Sequence, residues 1–417
     1  MARYLAYTSP ARGHLYPIVG TLIELQRRGH EVAVRTLGAE VSRMEGLGFS
    51  AGPIAPAIEA IEQDDYQAHT PMGANKRVMK TFARRAEYEV ADLQAAIADV
   101  EPDAVLIDIN CQGAATVAEA GERPWAMWTP YFTPLPSRDA PPFGLGIHPR
   151  RDLLGRVRDA LLAKVVLGPP ERQAASSVNP LRSRFGLAPF RRGTELWAAA
   201  PLHLYFTAEP FEYPRTDWPD SFRLLGPGTW EPSASPPEWL ERTERPLVLV
   251  TLSTEFQDDG KLATVALQAL ASEDVDVVVT TAAVDPSNFD APPNARVERF
   301  VPHGPLLERA VCVVCHGGMG ITQRALAAGV PVCVVPFGRD QLEVAGHLTW
   351  ADAGTRLAPQ RLRAERLRAA VQTAIGKRQQ AQTVAAAFAA TGGANAGADA
   401  LDKLVNTTPT SSNLAMS

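Results

Sequence analysis

The chain has 417 residues, 46% hydrophobic and 21% charged, with 41 basic and 46 acidic side chains and a net charge of −5. At roughly 100–200 residues per domain it has room for two or three cores, and its ordinary composition excludes a disordered or fibrous chain. The slightly acidic balance lacks the basic footprint of a nucleic-acid binder, and no apolar run reaches the ~20 residues of a membrane span. Neither nucleic acid nor stable membrane insertion is therefore expected. The opening residues read as a core strand and not as a secretory signal. The four cysteines are too sparse for a disulfide scaffold, which fits a cytoplasmic protein.

In chain order, residues 3–8 form an apolar strand, 15–28 an amphipathic helix ending near Gly29, and 31–36 a second strand. A helix over 75–99, a strand over 103–108, a helix over 111–120 and a strand over 125–128 follow. Residues 130–150 are rich in Pro, Gly and aromatics and read as loops, with helical segments to about 185. The stretch 209–246 is dense in proline and reads as a linker. Alternation resumes with strands at 247–252, 275–280, 295–300, 311–315 and 330–335. Helices are expected at 260–271, 304–309, 320–328, 341–352 and 361–390. Strand–helix alternation with near-continuous apolar strands implies parallel sheets covered on both faces. The expected fold class is α/β, with two doubly wound, Rossmann-like domains facing across a cleft. Their bounds are 1–208 and 247–390, with a C-terminal helix over 391–405 packing back on the first domain and a disordered tail at 406–417.

Two cysteines, Cys312 and Cys315, have C-x-x-C spacing, but they lie in an apolar strand, where a spacing of three points them to opposite faces. Buried structural thiols are expected, and with no second ligand pair at zinc spacing no metal site. The segment His316-Gly317-Gly318-Met319-Gly320 stands between an apolar strand and a helix. Glycines there let a ligand approach the backbone, and the helix N-terminus offers N–H groups to an anion. A tight turn that merely needs glycine has the same pattern. The next strand runs into Phe337-Gly338-Arg339-Asp340-Gln341, so Asp340 and Gln341 should reach the same crevice, where they suit sugar hydroxyls. Asp340 also fits as a helix cap.

In the first half, Ser9-Pro10-Ala11-Arg12-Gly13-His14 follows the first strand and opens the first helix. A histidine at that edge, with an ordinary pKa of about 6.5, suits a general base. Asp108 ends a neighbouring strand and can orient such an imidazole. On residue type alone, a capping histidine and a solvated aspartate are the commoner arrangement. Trp125 and Trp128 read as core; Tyr131, Phe132 and Phe143 are candidates for lining an apolar acceptor pocket.

The run His316-Gly317-Gly318-x-Gly320, Ala325-Leu326, Gly329-Val330-Pro331, Pro336 and Asp340-Gln341 resembles the nucleotide-sugar signature of the GT-B glycosyltransferases in the UDP-glycosyltransferase superfamily. It is most similar to the bacterial branch that decorates macrolides and other natural products. The resemblance implies that Phe300 stacks on the donor base, the backbone of Val301 reads its edge, and His303 takes the place of the usual Gln. It places Thr254 in a phosphate loop, with His316, Gly317, Gly318 and Gly320 on the diphosphate. Arg324 stands where UDP-sugar users often have a ribose-binding acid, which admits a dTDP donor beside a UDP donor; Ile321 and Ser253 also depart from the common pattern. The resemblance implies His14 as acceptor-activating base with Asp108 as its partner. The expected activity is inverting transfer of a hexose or deoxyhexose from a UDP- or dTDP-sugar to a hydroxyl of a small hydrophobic acceptor. No metal and no cofactor beyond that co-substrate is implied, and the expected assembly is a monomer or homodimer. A nucleotide-sugar epimerase or hydrolase, or a non-catalytic auxiliary protein, are the alternatives.

Overall fold

Strands without polar alternation must be covered on both faces, and β-rich segments such as 104–108 and 247–251 are buried along their whole length. The computed structural model describes residues 1–68, 71–253 and 259–407. In it, β1 (Arg3–Tyr7), β2 (Glu31–Thr36), β3 (Ser50–Pro53), β4 (Ala104–Asp108), β5 (Trp125–Thr129), β6 (Leu202–Tyr205) and β7 (Phe222–Leu224) form one parallel sheet, ordered β3-β2-β1-β4-β5-β6-β7. A second parallel sheet has the order β10-β9-β8-β11-β12-β13. Its strands are β8 (Leu247–Thr251), β9 (Asp276–Thr280), β10 (Ala295–Glu298), β11 (Ala310–Cys315), β12 (Val332–Val334) and β13 (Gly354–Arg356). The two halves thus repeat one winding, and in each the strand order reverses beside the first strand. Those switch points, β1/β4 and β8/β11, are where doubly wound sheets open a crevice at their carboxyl edge.

Cys312 and Cys315 are both buried free thiols on opposite faces of β11: one joins the core under helices Gly260–Leu270 and Ala364–Ile375, the other the core facing the first domain. The expected helix over 361–390 is two helices, Ala364–Ile375 and Arg378–Ala390, interrupted at Gly376 and Lys377. The last helix, Gly393–Thr407, returns to the first half and packs on helix Arg12–Arg27. Ala398 and Leu401 enter that core, Tyr4 donates to Asp402 at 3.0 Å, and Arg28 donates to Asp399 at 2.6 Å and Asp402 at 3.0 Å. Asn406 and Thr407 belong to this helix; the remainder of the expected tail lies outside the described residues.

The stretch 209–246 is more than a connector. Phe222–Leu224 pairs with β6 and extends the first sheet beyond residue 208, and Phe222 stacks on the buried His203 with ring centroids 4.2 Å apart. Such short strands are hidden among prolines because three residues carry no periodicity of their own.

Phe132, expected in the acceptor pocket, is fully buried in the core between the halves. It stacks on His347 of the second half at 3.6 Å, and Tyr213 covers the other face of that imidazole, also at 3.6 Å. The aromatic loop is there because it joins the domains. We expect Phe132→Ala to cost about 3–5 kcal/mol of stability in chemical denaturation while leaving the KM for acceptor nearly unchanged.

Candidate active site

β1 ends at Tyr7, and the chain turns through Ser9 into helix Arg12–Arg27, which carries His14 in its first turn. β4 ends at Asp108, on the adjacent strand. The register brings the two side chains together: His14 Nδ1 lies 2.8 Å from Asp108 Oδ1. Asp108 is fully buried and collects further donors, from Ser9 N at 2.9 Å, Ser9 Oγ at 2.5 Å and Asn110 N at 3.0 Å. Burial pushes its carboxyl up, but the attraction of His14 and the hydrogen bonds from His14, Ser9 and Asn110 outweigh it, leaving the group below its ordinary range. An ionised carboxylate only accepts, so the imidazole proton facing it sits on Nδ1, and the lone pair is on Nε2. Trp128 fixes the backbone here by donating to the His14 carbonyl at 3.1 Å.

Tyr131 is the one expected acceptor-lining residue placed at His14, edge to face with ring centroids 5.6 Å apart. Its hydroxyl donates to Asn110 Oδ1 at 2.9 Å. Phe143 is partly buried and lines a separate cavity of about 580 Å³ with residues such as Pro134, Pro142 and Arg156.

On the facing sheet, β11 delivers His316 to the edge, nearly buried, and the turn enters helix Met319–Ala327. Gly317 has φ +96°, and a Cβ there would stand 2.7 Å from Val334 Cγ1. A Cβ on Gly318 would stand 2.6 Å from His316 Nε2, so both glycines are demanded by the protein itself. At Gly320 nothing lies within 4 Å, and the space is open. Gly318 caps the helix without a side-chain hydrogen bond. His316 Nδ1 is buried and has no hydrogen-bond partner among the described residues; Asp259 Oδ2 stands 3.7 Å away. An orphaned imidazole nitrogen beside an uncapped helix N-terminus fits an anionic ligand. Thr254 lies outside the described residues.

Asp340 follows β12 in the loop to helix Gln341–Trp350. Burial pushes its carboxyl up, offset in part by its own backbone N–H, by Arg339 and by His14 across the cleft. As a cap, Asp340 makes no side-chain hydrogen bond to its helix. Gln341 is buried, and its Oε1 accepts from Phe337 N at 2.7 Å and Gly338 N at 3.0 Å, so its first task is to shape the loop. Arg339, at φ +52°, reaches the first half and donates to both oxygens of Asp65, at 2.8 and 3.0 Å. Sequence reasoning missed this clasp and Asn110, because nothing local marks either.

Phe300 is 67% exposed, an aromatic face open to a ligand, beside the buried side chain of Val301. His303 begins helix His303–Arg309 and its Nε2 lies 3.2 Å from Thr280 Oγ1. The Arg324 guanidinium is ion-paired with Glu231 of the proline-rich stretch, which also accepts from Gly304 N at 2.7 Å. A carboxylate therefore stands beside Arg324 even though helix Met319–Ala327 lacks one. Glu231, Ser233, Pro302 and Pro305 border a cavity of about 570 Å³.

Two buried histidines, His203 and His316, and the half-buried His303 are held neutral. Burial holds His203 down to about 3; His303 and His316 are each held to about 4, by burial and then by Arg324 and Arg339 respectively. An unfolded histidine protonates near about 6.5, so between about 6.5 and 4 the unfolded chain binds more protons and stability falls with falling pH. We expect the urea midpoint to drop across that window, by at most about 1.4 kcal/mol per pH unit for each histidine. A midpoint level from pH 7 to 5 would contradict neutral burial.

Among the described residues, no group of three or more His, Cys, Asp or Glu side chains is arranged to hold a metal ion, and no helix is long and apolar enough to cross a membrane. Residues 264–397 match the family model of the erythromycin biosynthesis protein CIII-like C-terminal domain. The chain is 34% identical over 388 residues to 4'-demethylrebeccamycin synthase of Lentzea aerocolonigenes, covering 90% of this chain and 92% of that one. Its fold matches the calicheamicin glycosyltransferase CalG4 with a TM-score of 0.76 at 20% identity, over 98% of this chain and 100% of that one. It also matches the glycosyltransferase VinC, solved in complex with dTDP, with a TM-score of 0.67 at 22% identity, over 97% and 99%.

Proposed function

The chain belongs to the natural-product glycosyltransferases of the UDP-glycosyltransferase superfamily, and from that premise we propose that it moves a hexose or deoxyhexose from a nucleotide-diphosphate sugar to a hydroxyl of a small apolar acceptor, inverting the anomeric centre. The observation that carries this reading is the pair His14 and Asp108, 2.8 Å apart at the first switch point, with the His316–Gly320 turn at the switch point of the second sheet. His14 Nε2 takes the acceptor's hydroxyl proton as that oxygen attacks the anomeric carbon. The bond from that carbon to the diphosphate oxygen breaks, and its electron pair leaves with the nucleotide. Buried Asp108 neutralises the imidazolium, which later returns its proton to solvent.

Charge on the departing diphosphate is met by the N-terminus of helix Met319–Ala327 and by neutral His316 as a hydrogen-bond donor. In this reading these groups do the work of a divalent cation. Asp340 and Gln341 face the sugar, Phe300 offers its exposed ring to the base, and Tyr131 borders the acceptor. A relative of the same fold binds dTDP, and the Glu231 carboxylate beside Arg324 suits a ribose diol, so both UDP- and dTDP-linked donors belong in the test.

The test is a screen of UDP-glucose and dTDP-glucose against phenolic and macrolide acceptors, read by mass spectrometry with and without EDTA. The expected product is acceptor plus one glycosyl unit, formed equally with the chelator present. Donor consumption without acceptor product would make the protein a hydrolase, and loss of turnover in EDTA would overturn the metal-free stabilisation.

A further inference from the structure

The lone pair on His14 Nε2 already has a partner. Asn110 Nδ2 lies 3.1 Å from it, in the loop just beyond Asp108. The orientation of that amide is fixed from its other end, where the Tyr131 hydroxyl donates to Asn110 Oδ1 at 2.9 Å. Burial, with Asp108 and Asp340 nearby, pushes the Tyr131 phenol up, so it keeps the proton it donates. With Oδ1 so engaged, the end of the amide facing His14 is its NH2 group, a donor, and Nε2 must accept. A chain of four residues and three hydrogen bonds therefore runs Tyr131 to Asn110 to His14 to Asp108, every donor matched to an acceptor.

We propose that Asn110, oriented by Tyr131, is a positioning residue that holds His14 in the Nδ1–H tautomer with Nε2 unprotonated and marks the place of the acceptor oxygen. This rests on the reading of His14 as the base. An incoming hydroxyl displaces the amide from Nε2, donates its own proton there, and accepts the Asn110 N–H on its oxygen. One amide then fixes both partners of the proton transfer. The bond from Asn110 exists only while Nε2 is unprotonated, so it favours the neutral imidazole and opposes protonation. Among the described residues, the other titratable groups facing His14 are Asp108, which favours the charged form, Asp340 across the cleft, and Tyr131.

The test uses the free enzyme labelled with 13C and 15N at histidine, followed by NMR titration, with His14→Gln assigning the His14 resonance among the eight histidines. In the unsubstituted protein, His14 should show the Nδ1–H tautomer. Asn110→Ala should raise its titration midpoint by about half a unit to one unit, the scale of one lost hydrogen bond. Tyr131→Phe should raise it by less, and Asn110→Asp, which puts a carboxylate on Nε2, by about one to three units. The acid limb of kcat/KM should move by the same amounts in whichever donor and acceptor pair is turned over. An Asn110→Ala midpoint equal to that of the unsubstituted protein, or an Nε2–H tautomer in that protein, overturns the proposal. The titration needs no substrate. If it goes as expected while His14→Ala still transfers sugar, the positioning stands and the base assignment alone fails.

Discussion

His14→Ala is expected to lower kcat/KM for glycosyl transfer by about 10²–10⁴-fold, the usual contribution of a positioned general base, with donor binding intact. The magnitude follows from what the neighbouring groups do. Asp108 is fully buried and takes four donors, so the carboxylate is a fixed element and the imidazole keeps its lone pair on Nε2, where Asn110 Nδ2 stands. Removing the imidazole leaves no other described side chain at that position to take the proton. Asp108→Asn should be nearly as damaging. Its amide must set an NH2 group either against His14 Nδ1–H or against the Ser9 N–H and hydroxyl, which breaks the tautomer or the turn. Steady-state kinetics with a fixed donor and acceptor pair, and calorimetric titration with UDP or dTDP, separate the two effects. Unchanged kcat/KM in His14→Ala would remove the base from the mechanism.

The second large effect lies on the donor side. Gly317→Ala is expected to weaken binding of UDP or dTDP by about 10- to 100-fold and to cost about 1–3 kcal/mol of stability. A residue other than glycine is strained at φ +96°, and its Cβ would stand 2.7 Å from Val334 Cγ1 of β12. Relief requires the turn to move, and the helix N-terminus and His316 move with it. Gly320→Ala is the informative contrast. Among the described residues, nothing beyond its chain neighbours and its own helix backbone lies within 4 Å of a Cβ there, and alanine suits the first turn of a helix better than glycine. Its stability should hold or rise, while nucleotide binding should fall, because the open space is where the proposed diphosphate sits. Calorimetry and thermal denaturation on the two variants check this; nucleotide affinity unchanged from the unsubstituted protein in both would argue that the turn serves only the fold.

What could be read ahead of the structure was local. His14 and Asp108 follow adjacent apolar strands of one parallel sheet, whose ends share an edge, and position along the chain was enough to bring that pair together; the His316–Gly320 turn ends an apolar strand of the second sheet. What escaped depends on partners far apart in sequence. Phe132 carries the same aromatic signal whether it faces a ligand or His347, and only the docking of the two halves decides for His347. The partner of Arg324, Glu231, comes from a stretch that reads as a linker, and nothing near Arg324 in the chain marks it. The clasp of Arg339 on Asp65 joins loops of the two different halves, with no motif at either end. Asn110 is a common residue in a common loop, and its meaning comes from Tyr131 on one side and Nε2 on the other. Local pattern locates the edge of the crevice, while long-range packing decides which side chains face into it.

The central claim is that a hydroxyl activated at His14 displaces the diphosphate in a single step. Its most direct test is the anomeric configuration of the product, read from proton NMR coupling after transfer from UDP-α-D-glucose or dTDP-α-D-glucose. Single displacement gives the β-linked glucoside. An α-linked product would require a second displacement that the arrangement of His14, Asp108 and the His316 turn does not provide, and would contradict the account.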